Sequence, residues 1–474
     1  MAKPTPRGET PFRINLEQQK KRAKELLKAF HADANADISE DVSATLSANN
    51  IATCNTALLR FKRHHPKYLN STLTSAKLSD AQLVIARELG LPSWAKLKTH
   101  IAAMTQASEA IKINALAPDA EFKTLHIRCG TDLSSTLPAG GFSGDFLEYS
   151  DPYGQGPIIQ NDDFIKIRAK YLHESYDPLF EKKLDDSRAD KTLSDTVSYL
   201  ETADARLKQA AQQYERVVLW FEHDGYDQLI LAKLLAYFAE NTANEKVLPE
   251  KVPPEKELPE KLELVSINHF PGSARFIGLG QLPPEAIRLI WQQRQGVSQQ
   301  QLKLGKQVWS ALGESTPLAL FKMTNSKNIK HLPDMRGALL RHLQELPSTH
   351  NGLSLTEHIT LELLNEGDKT AGQLFGHLMR IRDPLPWLGD IMYWFILQSM
   401  MQVSQAVFEI STDDLKKPWQ DRLLFITETG QSVVAGTQNW LTLNPPVRWL
   451  GGVKINTEQP CWCWDNKTER PVLI

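Results

Sequence analysis

Residues 216–240 read RVVLWFEHDGYDQLILAKLLAYFAE. The opening RVVLWFEH, Arg216 to His223, is a short unbroken apolar run rich in Val and aromatics. That is the pattern of a strand buried on both faces. At Gly225 the period changes from continuous to helical. Leu229, Leu231, Leu234, Leu235 and Phe238 then fall on the inner side of a helix running to Glu240. A buried strand feeding directly into a helix is the repeating unit of a parallel sheet with crossover helices.

The same alternation extends outward in both directions. Upstream, KTLHIRC (Lys123–Cys129) reads as a strand, followed by Gly130-Thr131-Asp132 and a short helix. Asp145–Ser150 is a second strand, and helical patterns follow near 162–180 and 193–213. Downstream, LELVSIN (Leu262–Asn268) is another strand. Residues 120–283 therefore predict a Rossmann-like, mainly parallel α/β domain. It is interrupted at 241–261 by the Pro/Glu/Lys-rich NEKVLPEKVPPEKELPEK, whose composition predicts a solvated, disordered insertion.

Two helical regions flank this domain. Residues 1–15 predict a disordered tail, and 16–105 a helical module. Within the module, Leu16, Ala23, Leu26, Leu27 and Phe30 share one face. Ser79 to Gln82 has the spacing of a capping box, Gly90 marks a helix end, and Ser93 caps the next helix. From 284 to 474 the pattern is mostly helical. Leu353–Trp440 orders three helices, a strand and a turn as a winged helix-turn-helix does. The six tryptophans Trp387, Trp394, Trp440, Trp449, Trp462 and Trp464 are expected as core.

Bulk properties narrow the function classes. With 474 residues, about three domains are expected. The net charge of -2 gives no overall polyelectrolyte signature for nucleic acid or an anionic membrane. No apolar run is long enough for a membrane span, and MAKPTPRGET lacks the hydrophobic core of a secretory signal. A cytoplasmic protein with reduced thiols at Cys54, Cys129, Cys461 and Cys463 is the expectation. Cys461-Trp462-Cys463 lacks the two-residue gap of a zinc knuckle, so no metal is assigned there. Residues 352–440 hold 11 acidic against 6 basic side chains, which argues against DNA at the winged-helix-like unit. Residues 11–105 hold 14 basic against 8 acidic, including RFKRHH at 60–65. That module leaves nucleic acid or an acidic protein partner open.

Chemistry is expected at the strand ends, where open parallel sheets bind ligands. Four strand tips carry polar groups: Asp132; Asp151 with the turn to Pro157; Glu222, His223, Asp224 and Asp227 with Gln228; and Asn268-His269 leading to Arg275. His223 or Glu222 fits a general base, and Arg275 with the Gly130 turn fits an anionic group. A divalent site of Asp132, Asp151 and Asp224 is a further option, although the same acids also serve as helix caps and turn starters. No Gly-x-Gly-x-x-Gly, Walker, Gly-x-Ser-x-Gly or His-Glu-x-x-His pattern occurs, so no cofactor is assigned.

Two stretches resemble known families. LEQQKKRAKELLKAF, RFKRHHP and LSDAQLVIARELGLPSWAKLKTHI resemble a helical module found beside varied bacterial proteins, including ankyrin-repeat proteins. LHIRCGTDLSSTLPAGGFSGDFLEYSDPYGQGPI and HFPGSARFIGLGQLPPEAI resemble the bacterial domain-of-unknown-function family 1835. Here Tyr149 stands where that family has Trp, and Thr131 separates Gly130 from Asp132. LLRHLQELPSTHNGLSLTEHITLELL, LGDIMYWFIL and the PVRWLGGVKI to CWCWD ending resemble its usual companion, family 3658. The resemblance implies an architecture and a bacterial origin, and carries no activity. The functional expectation is a small polar or phosphorylated ligand bound, or processed, at the strand tips. The alternative is a non-enzymatic regulator or adaptor acting through the basic module and the winged-helix-like unit.

Overall fold

The structure is a computed structural model that describes residues 12–35, 56–69, 75–179, 191–244, 261–273, 275–457 and 460–474. Of the tail expected at 1–15, residues 1–11 lie outside the described residues, as do Cys54 and residues 245–260 of the insertion expected at 241–261; its residues 241–244 continue a helix and 261 opens a strand. The chain divides into two compact units.

The first unit comprises Met1–Pro118, Ser135–Phe142 and Ile267–Gln293. Four helices lead it: α1 (Leu16–Asn35), α2 (Ala57–His64), α3 (Leu78–Glu88) and α4 (Trp94–Lys112). Ala23, Leu26, Phe30, Phe61, Tyr68, Val84, Ile85 and Leu97 close into one core. Phe30 and Phe61 meet with ring centres 4.4 Å apart. Ser93 caps α4 as expected, accepting from the Lys96 N–H. The start of α3 differs from expectation. Ser79 lies inside the helix, and Asp80 closes the turn by accepting from the Lys77 N–H at 2.9 Å. Gly90 ends α3 with φ +79°, a left-handed conformation that favours glycine. A Cβ there would also fall 2.0 Å from the His269 ring. The Ile267–Gln293 segment, read from sequence as mostly the end of the α/β domain, thus packs on this helical unit with its own helix α9 (Pro284–Trp291).

The second unit comprises Asp119–Ser134, Ser143–Ser266 and Arg294–Ile474. It is a mixed α/β unit around a mainly parallel five-stranded sheet. The strands are β1 (Thr124–Arg128), β2 (Asp145–Glu148), β4 (Arg216–Glu222), β5 (Lys261–Ile267) and β6 (Gln295–Gly296), in the order β2-β1-β4-β5-β6. β1 runs parallel to both neighbours, so Arg128 lies opposite Glu148 on one side and Trp220 on the other. β6 is an antiparallel edge. Every residue of β4 is buried, as its continuous apolar run demands.

Helix α8 (Gly225–Asn244) is buried more fully than one apolar face would allow: Ile230 and Ala232 are as inaccessible as Leu229 and Leu235. The reason is that α8 packs between β4 and two further helices, α10 (Gln299–Leu312) and α12 (Met335–Leu343). Gly305 sits at the α8–α10 contact, where a Cβ would lie 2.3 Å from Leu235 Cβ. Helix α5 (Asp132–Ala139) follows β1, and α6 (Phe164–Ser175), α7 (Leu193–Gln213) and α11 (Leu318–Thr324) are the further helices before the C-terminal part.

The C-terminal part carries α13 (Leu355–Asn365), α14 (Ala371–His377), α15 (Asp390–Met401) and α16 (Glu428–Val434). They pack with a three-stranded antiparallel sheet, β7 (Lys369–Thr370), β9 (Leu423–Ile426) and β8 (Phe408–Ile410) in that order. Leu361, Leu364, Leu374, Tyr393, Trp394 and Leu424 form its core. A second small sheet pairs β3 (Gly156–Pro157) in parallel with β10 (Arg448–Gly451), which pairs with β11 (Val453–Ile455). The chain closes on a hairpin, β12 (Trp462–Asp465) and β13 (Arg470–Leu473). Among the described residues no helix is long and apolar enough to cross a membrane.

Candidate functional site

In the order β2-β1-β4-β5, the chain leaves β1 towards one side and later returns on the other. The gap between the carboxyl ends of β1 and β4 is therefore the point where an open sheet changes winding direction. Such points bind ligands because the flanking loops diverge there and leave a crevice.

Arg128, the last residue of β1, occupies that point. Its guanidinium donates to Glu222 at the end of β4, to Asp227 in the first turn of α8, and to Asp132 from Nε at 3.1 Å. Arg128, Glu222 and Asp227 expose only 6%, 4% and 3% of their side chains, whereas Asp132 keeps 28%. Asp227 is engaged on every side. It accepts from the Glu222 N–H at 2.7 Å and from the Cys129 thiol at 2.9 Å. Its own N–H donates to Asp224 Oδ1 at 2.9 Å, the bond by which Asp224 caps α8.

Burial would lower the Arg128 pKa, but the charges of Asp227, Glu222 and Asp132 outweigh it and hold the group cationic. Burial pushes the Cys129 thiol well up, with Asp227 adding to it, so this cysteine stays protonated. Burial first, and then the charge of Asp227, push Asp224 up to about 8. Asp224 is thus a buried acid that carries a proton near neutral pH. Oxygens of Glu222, Asp224 and Asp227 lie within 4.8 Å of one another. The Arg128 cation already bonds two of these three carboxylates.

The expected site residues separate into three groups. Asp132, Glu222, Asp224 and Asp227 come together around Arg128, and half-buried His223 stands between two of them in sequence. Asp151 goes elsewhere: it is buried against Arg168 of α6, with Arg168 Nε 3.0 Å from Oδ2. The same guanidinium donates to the Gln155 carbonyl at 2.8 Å, so the pair clamps the 151–157 turn. The divalent site of Asp132, Asp151 and Asp224 is accordingly not assembled: among the described residues only Glu222, Asp224 and Asp227 group in that way. Arg275 belongs to the first unit, where it is half-buried and its carbonyl accepts from the Ser273 hydroxyl at 2.8 Å.

A second polar constellation lies in mid-strand. Asp119 holds His126 Nε2 at 3.1 Å, and the Trp220 indole N–H donates to His126 Nδ1 at 3.1 Å. Indole nitrogen is only a donor, so Nδ1 is the acceptor and Nε2 carries the proton. Asp119 also receives the Ser143 and Gly144 N–H groups at 3.0 and 2.7 Å. These bonds, His126 first, outweigh burial and hold the Asp119 carboxyl well below its usual range. The imidazole has both nitrogens engaged and is fully buried, so this Asp–His pair is a structural tie between β1, β4 and the 143–144 turn.

A third network cross-links helices. Arg341 of α12 makes a bidentate pair with Asp383, at 2.9 and 2.7 Å, and donates to Glu345 at 2.6 Å. Thr356 of α13 completes it through a 2.6 Å bond to Glu345.

Set against protein-family models, curated proteins and solved structures, the chain matches none.

Proposed function

We propose that the crevice at the carboxyl ends of β1 and β4 binds a small polar ligand, in a Rossmann-like sheet of the family 1835 type. The observation that carries this reading is the coincidence of the winding switch with a buried charge cluster centred on Arg128. Asp132 and His223, both half-buried, are the groups a ligand would meet beside the buried Arg128 cluster. The guanidinium is committed to three carboxylates, and a fourth carboxyl, Asp224, lies near enough to feel its charge. This balance favours a ligand rich in hydrogen-bond donors or carrying a cation over a phosphorylated one. His223 beside the protonated Asp224 supports proton transfer to such a ligand as a further step.

The winged-helix-like reading of 353–440 finds support in helices α13 to α16 packed with an antiparallel three-stranded sheet, one helix more than the reading expects. In this reading the acidic unit packs or contacts protein, and the self-contained core of α1–α4 supports an adaptor role for the first unit. Native mass spectrometry of gently purified protein tests the ligand reading. A polar small molecule should be retained by the wild type and lost from Asp132→Asn. Retention that Asp132→Asn leaves unchanged, or protein free of any such molecule, would count against the strand-tip site.

A further inference from the structure

The second unit contains a cavity of about 290 Å³. Tyr171, Trp387, Phe395, Trp440 and Trp449 wall it, and Arg448, Glu345 and Glu357 are its charged lining. The volume sits at the lower end of the range for small-molecule sites, roughly 300 Å³ upward, which suits one or two fused rings. Its aromatic wall offers flat apolar surface on several sides.

The polar lining selects the ligand's charge. Glu345 is spent on Arg341 and Thr356, and Glu357 accepts from the Ser354 N–H at 2.7 Å as the cap of α13. Donor capacity remains. Arg448 uses one N–H on the Glu345 carbonyl at 2.6 Å, and a guanidinium has five. Trp387 is 6% exposed, and among the described residues its buried indole N–H has no hydrogen-bond partner. A buried donor left unpaired is costly, so the site is short of an acceptor.

We propose that this cavity binds a small planar aromatic carboxylate, with the rings against the tryptophans and the carboxylate on Arg448. The site is independent of the strand-tip crevice. Isothermal titration calorimetry with three probes tests it: indole-3-acetate, the neutral indole-3-acetamide and the cationic tryptamine. The acid should bind at least tenfold more tightly than the amide, and tryptamine should not bind. Arg448→Met should erase the acid's advantage, and Arg448→Lys should keep part of it. Trp387→Phe should weaken the acid several-fold while leaving the melting temperature of the free protein close to wild type. Failure of the acid to bind, a preference for tryptamine, or equal binding by folded Arg448→Met would overturn the proposal.

Discussion

Arg128 closes a strand buried along its whole length, and three carboxylates converge on it. The acids were legible in sequence because they stand at strand ends and helix starts, where acids also serve as caps. Their cation was not, because Arg128 sits inside KTLHIRC and reads as one more strand residue. The available signal was a charged side chain at the last position of a strand whose other residues are all buried. Asp151 was misplaced for a related reason: its partner Arg168 lies on a helix 17 residues on, and no spacing rule links the two. Removing one partner from a buried ion pair strands the other charge. Glu222→Ala is therefore expected to cost about 3–5 kcal/mol in urea unfolding, and Glu222→Gln clearly less. Asp224 gives a pH signature. Its folded pKa, about 8, lies above the unfolded value, so the folded state holds an extra proton between about pH 4 and 8. Stability should fall as pH rises through that window, by an amount on the order of a few kcal/mol, and level off above it. Asp224→Asn, which preserves an acceptor for the Asp227 N–H, should flatten this slope. An unchanged slope in the variant would assign the effect to another group.

At the scale of elements, strands and helices followed their periodicity closely, and the surprises came from packing. The β4 run and the helix after it were readable because burial on both faces leaves no polar positions. The environment of α8 on its far side was not readable, since a sequence does not say that α10 and α12 cover the face away from the sheet. Gly305 shows what that close approach requires. Alanine is a better helix former than glycine by about 1 kcal/mol, so an exposed site would gain. Here the added methyl meets Leu235, and Gly305→Ala should instead destabilise by about 1–3 kcal/mol in denaturant titration. Net stabilisation would show that α8 and α10 stand further apart. The aromatic residues of the C-terminal part teach the same lesson. Trp394 stacks on Trp419 at 5.5 Å, and Trp387 and Trp440 share their buried core while also lining the cavity, which half-buried Trp449 lines too. The two roles look alike in sequence, because ring size reports burial and not what the ring faces.

Across the whole molecule, charge totals are visible in sequence, whereas the pairing of those charges is not. The first unit's basic excess is partly consumed internally: Arg60 pairs with Glu88 at 2.6 Å and Arg13 with Glu285 at 2.5 Å. In the second unit, the long-range partners of β1 lie some 90 residues away, on β4 and at the start of α8. Only the sheet order brings them together. We propose this meeting point as the ligand site. Its most direct measurement is ligand-induced thermal stabilisation across a panel of amines, amino acids, sugars, nucleosides and phosphates. Wild type, Asp132→Asn and His223→Ala would be compared side by side, with Arg448→Met separating the aromatic cavity. At least one donor-rich or cationic compound should raise the melting temperature of the wild type and of Arg448→Met, and fail to do so in the Asp132 and His223 variants. A panel with no stabilising compound, or stabilisation that survives both strand-tip substitutions, would contradict the assignment.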